Sequence, residues 1–350
     1  MKRRTRLRKR DTLVITGAVL LALIGLYLGA QWLEKQNANP EPRGDYRLRY
    51  ADEQRTVNGQ TYRLRKNLTT ILLIGVDQDA DAEEAPTFQQ YVSGGQADFL
   101  RLLVIDPLDK TIAQIEIDRD TMTPITVLGS LGGKVGYRTA QICLSHSFGD
   151  GKEQSCGFTV EAVSRLLKDM PIAFYAAMNL DGIPEINDRL GGVTVTLEDD
   201  FSQLDPAMTK GTTLTLAGEQ AEIFVRTRKN VGRGTNEERM GRQRQYVDQM
   251  TELLSARIHE DSDFMGALFD ALSPYLCTNM SRARMVNEAW AAKDYTRLPL
   301  VSISGTHQVG SDGYMQFLPD EEALEQVILD VFYMISGAAA PPAGMEGENT

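Results

Sequence analysis

The chain reads as an α/β protein: a central mixed β-sheet covered by helices on both faces, preceded by one N-terminal transmembrane helix. Three observations predict this. From Thr69 onward, short apolar runs bounded by turn residues alternate with segments of helical apolar spacing, the pattern of a sheet wrapped by helices. Two of the runs, Phe99–Ile105 and Thr111–Ile117, flank the turn Asp106-Pro107-Leu108-Asp109 and so read as a hairpin. Near the N-terminus, 22 positions from Thr12 to Leu33 carry no charge. At about 1.5 Å per residue that run spans ~33 Å as a helix, enough for a hydrocarbon core.

Residues 1–11 form a basic tip, in which residues 1–10 carry Lys2, Arg3, Arg4, Arg6, Arg8, Lys9 and Arg10 and no acid. Positive charge before the span and acidic sequence after it predict a cytoplasmic N-terminus and an extracytoplasmic body, a single-pass protein of the cell membrane. Trp32 falls near the outer interface. The apolar run exceeds the roughly 7–15 residues of a signal-peptide core, and Leu28 and Ala30 make a poor cleavage site, so 12–33 reads as an uncleaved anchor. Residues 34–67, polar and broken by Asn39-Pro40-Glu41-Pro42, read as a stalk.

The folded domain is expected over 68–336. Thr69–Val76 is a buried strand ending at Asp77, and 78–97 a loop containing Gly94-Gly95. The hairpin's second strand ends at Asp118-Arg119-Asp120. Helical spacing covers 139–148 and 158–168, Phe174–Met178 is a strand and 181–190 a helix. Gly191-Gly192 is a tight turn into a strand at Val193–Leu197. Helices follow at 217–225, 236–258, 263–272 and 281–293, then a strand at 298–303 and a last helix at 320–335. The Gly, Ala, Pro and Glu of 337–350 suit a disordered tail.

Across 350 residues, 37 basic and 48 acidic side chains give a net charge of −11. Setting aside the basic tip makes the body more acidic still, which argues against nucleic-acid binding. Cys143, Cys156 and Cys277 lack zinc or redox-motif spacing; Cys143 and Cys156 could pair across a short loop, or all three could be unpaired core residues. His146, His259 and His307 are isolated along the chain, against a His-based metal site or triad. No Walker or Rossmann pattern stands at a strand–helix junction.

Against that acidic background, four arginines between Ala221 and Tyr246 need an explanation. An extended backbone at Ile223–Arg228 would put Arg226 and Arg228 on one face. Thr235 with Glu238 is a capping-box pattern for the helix that follows. Arg239, Arg242, Gln243, Tyr246, Met250, Leu253 and Leu254 then form one stripe, so Arg239 and Arg242 extend its core-facing side. A buried guanidinium is costly without an anion, and its fork suits phosphate. The pattern predicts a phosphate pocket, with Asp77, Asp98 and Arg119 at strand boundaries where α/β folds bind ligands.

The blocks Ile71-Leu72-Leu73-Ile74-Gly75-Val76-Asp77, Ala97-Asp98 and Asp118-Arg119-Asp120-Thr121 resemble the opening motifs of the LytR-CpsA-Psr family. So do Gly157-Phe158-Thr159-Val160-Glu161, Asn179-Leu180-Asp181-Gly182 and Leu190-Gly191-Gly192-Val193. Leu216-Ala217-Gly218-Glu219-Gln220-Ala221, Val225-Arg226-Thr227-Arg228 and Arg239-Met240-Gly241-Arg242-Gln243 complete the order over residues 68–255. The resemblance implies a phosphotransferase that moves a glycopolymer, teichoic acid or capsule, from a polyprenyl-pyrophosphate carrier in the membrane lipid to peptidoglycan. It implies an α/β fold whose helices enclose the lipid tail, and Mg²⁺ (or Mn²⁺) at the pyrophosphate. Carried over by motif, Arg119, Arg226, Arg228, Arg239, Arg242 and Gln243 would bind pyrophosphate. Asp77 and Asp98 would hold the metal, and one of them could take the acceptor's proton. Asp120 would orient Arg119.

Three positions depart from the family pattern. Gln96 stands where relatives carry Arg, Gln141 where they carry Lys, and Asn236 where they carry Asp, implying a less cationic pocket. Arg138, close to Gln141 in sequence, could compensate. A polyprenyl-pyrophosphate-glycan pyrophosphatase and a non-catalytic lipid-pyrophosphate-binding regulator are the alternative functions.

Overall fold

The computed structural model describes residues 54–77, 94–129, 132–227 and 230–336. The expected tip, membrane span, tail and Arg228 lie outside the described residues. Among the described residues no helix is long and apolar enough to cross a membrane.

Along the chain, β1 (Gln54–Val57) and β2 (Gln60–Leu64) precede β3 (Thr69–Asp77), β4 (Gln96–Asp106), β5 (Thr111–Ile117), β6 (Met122–Leu128) and β7 (Lys134–Gln141). Helices α1 (Leu144–Ser147) and α2 (Glu153–Leu166) lead to β8 (Phe174–Asn179), α3 (Ile183–Leu190), β9 (Thr194–Thr196) and β10 (Thr213–Thr215). Then come α4 (Glu219–Arg226), α5 (Asn236–Glu260), α6 (Phe264–Leu272), β11 (Leu276–Thr278) and α7 (Arg282–Ala292). The chain closes with β12 (Thr296–Ser302), β13 (Gly305–Val309), β14 (Met315–Pro319), α8 (Glu321–Phe332) and β15 (Tyr333–Ile335).

The central sheet has six strands in the order β11-β8-β3-β4-β5-β12. It is mixed as expected: β3 pairs antiparallel with β4 and parallel with β8, and β12 joins β5 in parallel. Strand alternation sorts its side chains cleanly. Leu72, Ile74, Leu100, Leu102, Ile115 and Ile117 point to one face, where they pack with Val163 and Leu166 of α2 and Ile328 and Leu329 of α8. Ile71, Leu73, Phe99, Leu103 and Ile112 point to the other, beneath α3, α5, α6 and α7. On that second face the helices do not close onto the sheet. They leave an apolar cavity of about 380 Å³, walled by side chains such as Met178, Val247, Met250, Leu268 and Ala289.

Several expectations are corrected. The polar stalk expected over 34–67 gives way at Gln54 to a hairpin whose second strand pairs with β15. Its turn is Asn58-Gly59, both at positive φ, a two-residue connection that matches strand twist. The helix expected at 139–148 begins instead as the end of β7, through Gln141, and only Leu144–Ser147 are helical, in α1. The strand expected through Arg226 is the end of α4, so Arg226 lies on a helix rather than on extended backbone. The sequence marks no element over the β13–β14 hairpin, which docks through Phe317, bridged to Thr121. Gly191 and Gly192 do make the tight turn, at φ 88° and 90°. A Cβ on Gly192 would stand 2.5 Å from Thr215 Cγ2.

Candidate active site: arginines and carboxylates at the strand ends

Asp77 ends β3 opposite Gln96, and Asp98 is the extra residue of β4 at the register shift between Gly75 and Val76. The strands approach so closely there that a Cβ on Gly75 would lie 2.9 Å from Phe99 Cβ. Only glycine fits without displacing the neighbouring strand. Asp98 is 4% exposed and is gripped from two sides. Arg119 NH1 donates to its Oδ1, and Arg239 NH1 donates to its Oδ2 at 2.5 Å.

Arg119 follows the end of β5 by one residue, Asp118. Asp118 Oδ1 accepts the Asp120 N–H at 2.8 Å and Asp118 O accepts the Thr121 hydroxyl at 2.6 Å, a local turn that throws Arg119 inward. Its guanidinium also donates to Gln96 Oε1 and to Cys143 Sγ, the latter at 3.4 Å, and faces Asp120 at 3.5 Å. Burial alone would lower the Arg119 pKa, but the facing Cys143, Asp98 and Asp120 outweigh it and leave it raised. Burial pushes the Cys143 thiol up to about 11, although Arg119 opposes this. Burial, with Asp118 beside it, raises Asp120 against the pull of Arg119, Arg239 and His307.

Arg239 is held by α5. Thr235 caps that helix by accepting the Glu238 N–H at 3.3 Å, as the sequence predicts. The stripe also holds: Arg239, Arg242, Gln243 and Tyr246 are all buried. Their targets differ, however. Arg239 reaches Asp98 and, at 3.0 Å, Asn236 Oδ1. Arg242 spends its fork on protein: Nε to Phe224 O at 3.1 Å, NH1 to Asp199 at 3.1 Å, and NH2 to Thr227 O. Gln243 Nε2 donates to Val225 O at 3.3 Å. These two side chains tie α5 to the carbonyls at the end of α4, so they position Arg226 rather than lining an open anion site. Burial lowers the Arg242 pKa, against the effect of Asp199.

Arg226 forms a second cluster. It bonds Asp77 Oδ1 and Glu222 Oε1, each at 2.7 Å, and faces Asp181 at 4.0 Å. Burial lowers its pKa, and the carboxylates more than reverse that. The structure therefore brings Asp77 to Arg226, and Asp98 to Arg119 and Arg239, at neighbouring strand ends.

The departing residues are all bonded in place. Gln96 accepts from Arg119, and Gln141 Nε2 donates to Met315 O at 2.7 Å. Asn236 Nδ2 donates to Asp120 at 3.2 Å and reaches Asp118 at 3.4 Å. Arg138 does not replace the missing charge: it is exposed, lies over the Phe148 ring at 5.7 Å, and sits on the strand face opposite Gln141. All three cysteines are free. Cys143 turns to Arg119, whereas Cys156 lies 3.7 Å from His146 Nε2, so the two have separate partners.

Two site residues escaped sequence reasoning, Cys143 and His307. His307 reads as isolated along the chain, yet its Nε2 donates to Asp118 Oδ2 at 2.9 Å. No local signal marks a contact across 189 positions. Among the described residues no three His, Cys, Asp or Glu side chains gather as a metal cluster. Magnesium commonly takes one or two carboxylates and completes its shell with phosphate oxygens and water. Asp77 and Asp98 match that donor set.

The family model for the LytR_cpsA_psr family matches residues 40–330. The chain belongs to this family. It is 28% identical over 322 residues to the polyisoprenyl-teichoic acid–peptidoglycan teichoic acid transferase TagU of Halalkalibacterium halodurans, covering 88% of this chain and 92% of that one. The TagU of Bacillus subtilis is 25% identical over 334 residues, covering 93% and 96%. The fold is similar to that of B. subtilis TagV, with a TM-score of 0.56 at 24% identity over 77% of this chain and 97% of that one. Protein gbs0355 from Streptococcus agalactiae gives a TM-score of 0.60 at 21% identity over 75% and 86%. The LytR_cpsA_psr match extends well past Ser255, where the sequence blocks end, and takes in α6, α7, the β13–β14 hairpin and most of α8.

Proposed function

We propose that this protein is a membrane-anchored phosphotransferase that moves a glycopolymer of the teichoic acid class from a polyprenyl-pyrophosphate carrier to a peptidoglycan hydroxyl. One observation carries the reading: the apolar cavity reaches the turns of α4 and α5 that carry the arginine cluster. Gln243 and Val225 line the cavity, and Gln243 lies one helical turn from Arg239 on the same face of α5. A ligand that fits has a long apolar chain ending in concentrated negative charge, as a polyprenyl pyrophosphate does. The names of the TagU relatives support the same donor and acceptor classes.

Arg119, Arg239 and Arg226 would bind the pyrophosphate. Their charge is balanced by Asp98, Asp120 and Asp77, so a ligand meets donors already oriented. Charge accumulates on the departing phosphate during transfer, and guanidinium forks fixed by buried carboxylates stabilise it without reorganising. Asp77 and Asp98 would hold Mg²⁺, which would supply further neutralisation of pyrophosphate charge. Asp120 orients Arg119, while Arg242 and Gln243 keep α4 and Arg226 in register with α5. Arg228 completes the arginine set by motif. The 12–33 span would anchor the enzyme with its domain outside the membrane.

The test incubates the full chain in detergent with a labelled lipid-linked glycan, peptidoglycan strands and Mg²⁺. Label on peptidoglycan supports transfer, free glycan phosphate supports hydrolysis instead, and unchanged bound donor supports a binding role. Arg119→Ala is expected to lower transfer roughly 10²–10³-fold, the effect of losing one oriented donor to developing charge. Wild-type turnover by that variant would overturn the site assignment.

A further inference from the structure

Resting on the transferase reading, we propose that His307, held by Asp118, is the base that takes the proton from the acceptor hydroxyl. The two carboxylates that the motifs offer for this task are committed elsewhere. Asp98 is buried, and both of its oxygens accept from guanidinium groups, Arg119 on one and Arg239 on the other. Asp77 is in an ion pair with Arg226. Each carboxylate is thus turned to a guanidinium rather than to an incoming hydroxyl.

His307 has the opposite character. Its side chain is 46% exposed, and its ring packs against Phe317 with centroids 4.8 Å apart and the planes tilted by 50°. Nε2 donates to Asp118 Oδ2 at 2.9 Å, and among the described residues Nδ1 makes no hydrogen bond. A carboxylate on one ring nitrogen fixes the tautomer and leaves the other nitrogen as an oriented lone pair. Asp118 is itself well placed, 11% exposed and hydrogen-bonded to the Asp120 N–H. It also contacts Asn236, which bonds Arg239. His307 thus stands only a few hydrogen-bond links from the centre of the arginine cluster.

The hairpin that carries His307 is fixed to the site. Phe317 N donates to Asp120 O at 2.8 Å, and Gln141 donates to Met315 O. It contributes nothing to the wall of the apolar cavity. The lipid side and the His307 side of the arginines are therefore different. In-line phosphoryl transfer requires that separation, because nucleophile and leaving group lie on opposite sides of phosphorus. The charged groups facing His307 are Asp118 and, behind it, Asp120 with Arg119 and Arg239.

In the step, the acceptor oxygen forms a bond to the glycan-bearing phosphorus while the bond from that phosphorus to the bridging oxygen breaks. The bridging oxygen leaves with the electron pair as polyprenyl phosphate. The hydroxyl proton passes to His307 Nδ1 and then to solvent.

The experiment measures transfer by full-length wild type, His307→Gln and Asp118→Asn from pH 5 to 9, with donor binding measured separately by fluorescence titration of a labelled prenyl pyrophosphate. Expected for His307→Gln is a fall in kcat of about 10²-fold or more with donor affinity unchanged, and loss of the acid limb of the rate profile. Asp118→Asn should lower kcat less, since the imidazole remains but is no longer oriented. Transfer by His307→Gln at the wild-type rate, or with the acid limb intact, overturns the proposal. So does a loss of rate matched by an equal loss of donor binding. Failure of the wild type to transfer at all falls instead on the functional reading, and with it on this step.

Discussion

Asp98 takes two guanidinium groups at a position almost sealed from solvent, and that arrangement sets what a single substitution can do. Removing either partner leaves a buried carboxylate half compensated, which costs more than the pair itself contributes. Arg239→Ala is therefore expected to destabilise the fold by about 3 kcal/mol, read as a shift in urea midpoint at constant slope. Arg239→Lys should recover part of that, because an ammonium can meet Asp98 but cannot also reach Asn236 in the same plane. Equal stability of wild type and Arg239→Ala would show that Arg119 alone satisfies Asp98. At this scale the helical stripe made Arg239 legible, since burial follows from spacing. It did not separate Arg239 from Arg242, three residues on. Their partners, Asp98 for one and the carbonyls of Phe224 and Thr227 for the other, lie far away in sequence.

The elements that sequence reasoning found are those with strong periodicity, and those it missed are half-exposed hairpins. β3 and α5 were legible because a continuous apolar run and a capped stripe each admit one structure. β1–β2 offered a usable signal, Asn58-Gly59, but its short strands carry only Val57, Tyr62 and Leu64 to mark an apolar side. The β6–β7 hairpin gave none: Ile125 and Ala140 join the core, and a polar contact from another element ties it further. Glu161 of α2 accepts from Thr126 at 2.7 Å, Lys134 at 2.8 Å and Tyr137 at 2.9 Å, and also from Arg165. Burial would raise the Glu161 pKa, but Lys134, Thr126, Arg165 and Tyr137 bring it below its ordinary 4.5. A carboxylate depressed in the folded state stabilises fully above the unfolded pKa and loses that contribution as pH falls through the folded one. Glu161→Gln should thus cost about 1–3 kcal/mol at pH 7. The gap to wild type should close as pH drops below 4.5. Thermal melts of both proteins between pH 3 and 7 check this, and a gap that stays constant with pH would remove Glu161 as the tie.

The whole molecule divides its two sheet faces between unlike tasks. One face is packed solid by α2 and α8, and supplies the stability. The other holds its helices away from the sheet, leaving a void that a protein without a ligand to place there would fill. Sequence periodicity predicts helices on both faces but not the spacing between helix and sheet, so the cavity was not legible except through family resemblance. If the void holds a prenyl chain, its affinity should scale with buried length, at about 0.8 kcal/mol per methylene. Excluding roughly two methylenes then weakens binding about tenfold. Ala289 lies on the wall contributed by α7, half-buried, on a different element from the arginine cluster. Ala289→Trp should weaken a long-chain prenyl pyrophosphate at least tenfold while leaving inorganic pyrophosphate binding unchanged. Met250→Trp, on the facing wall from α5, should do the same. Calorimetric titration of both ligands, with melting temperatures as the control for folding, separates the cases. Weakening of both ligands alike would mean that the substitutions disturb the arginine cluster. Unchanged long-chain binding would mean that the chain lies elsewhere.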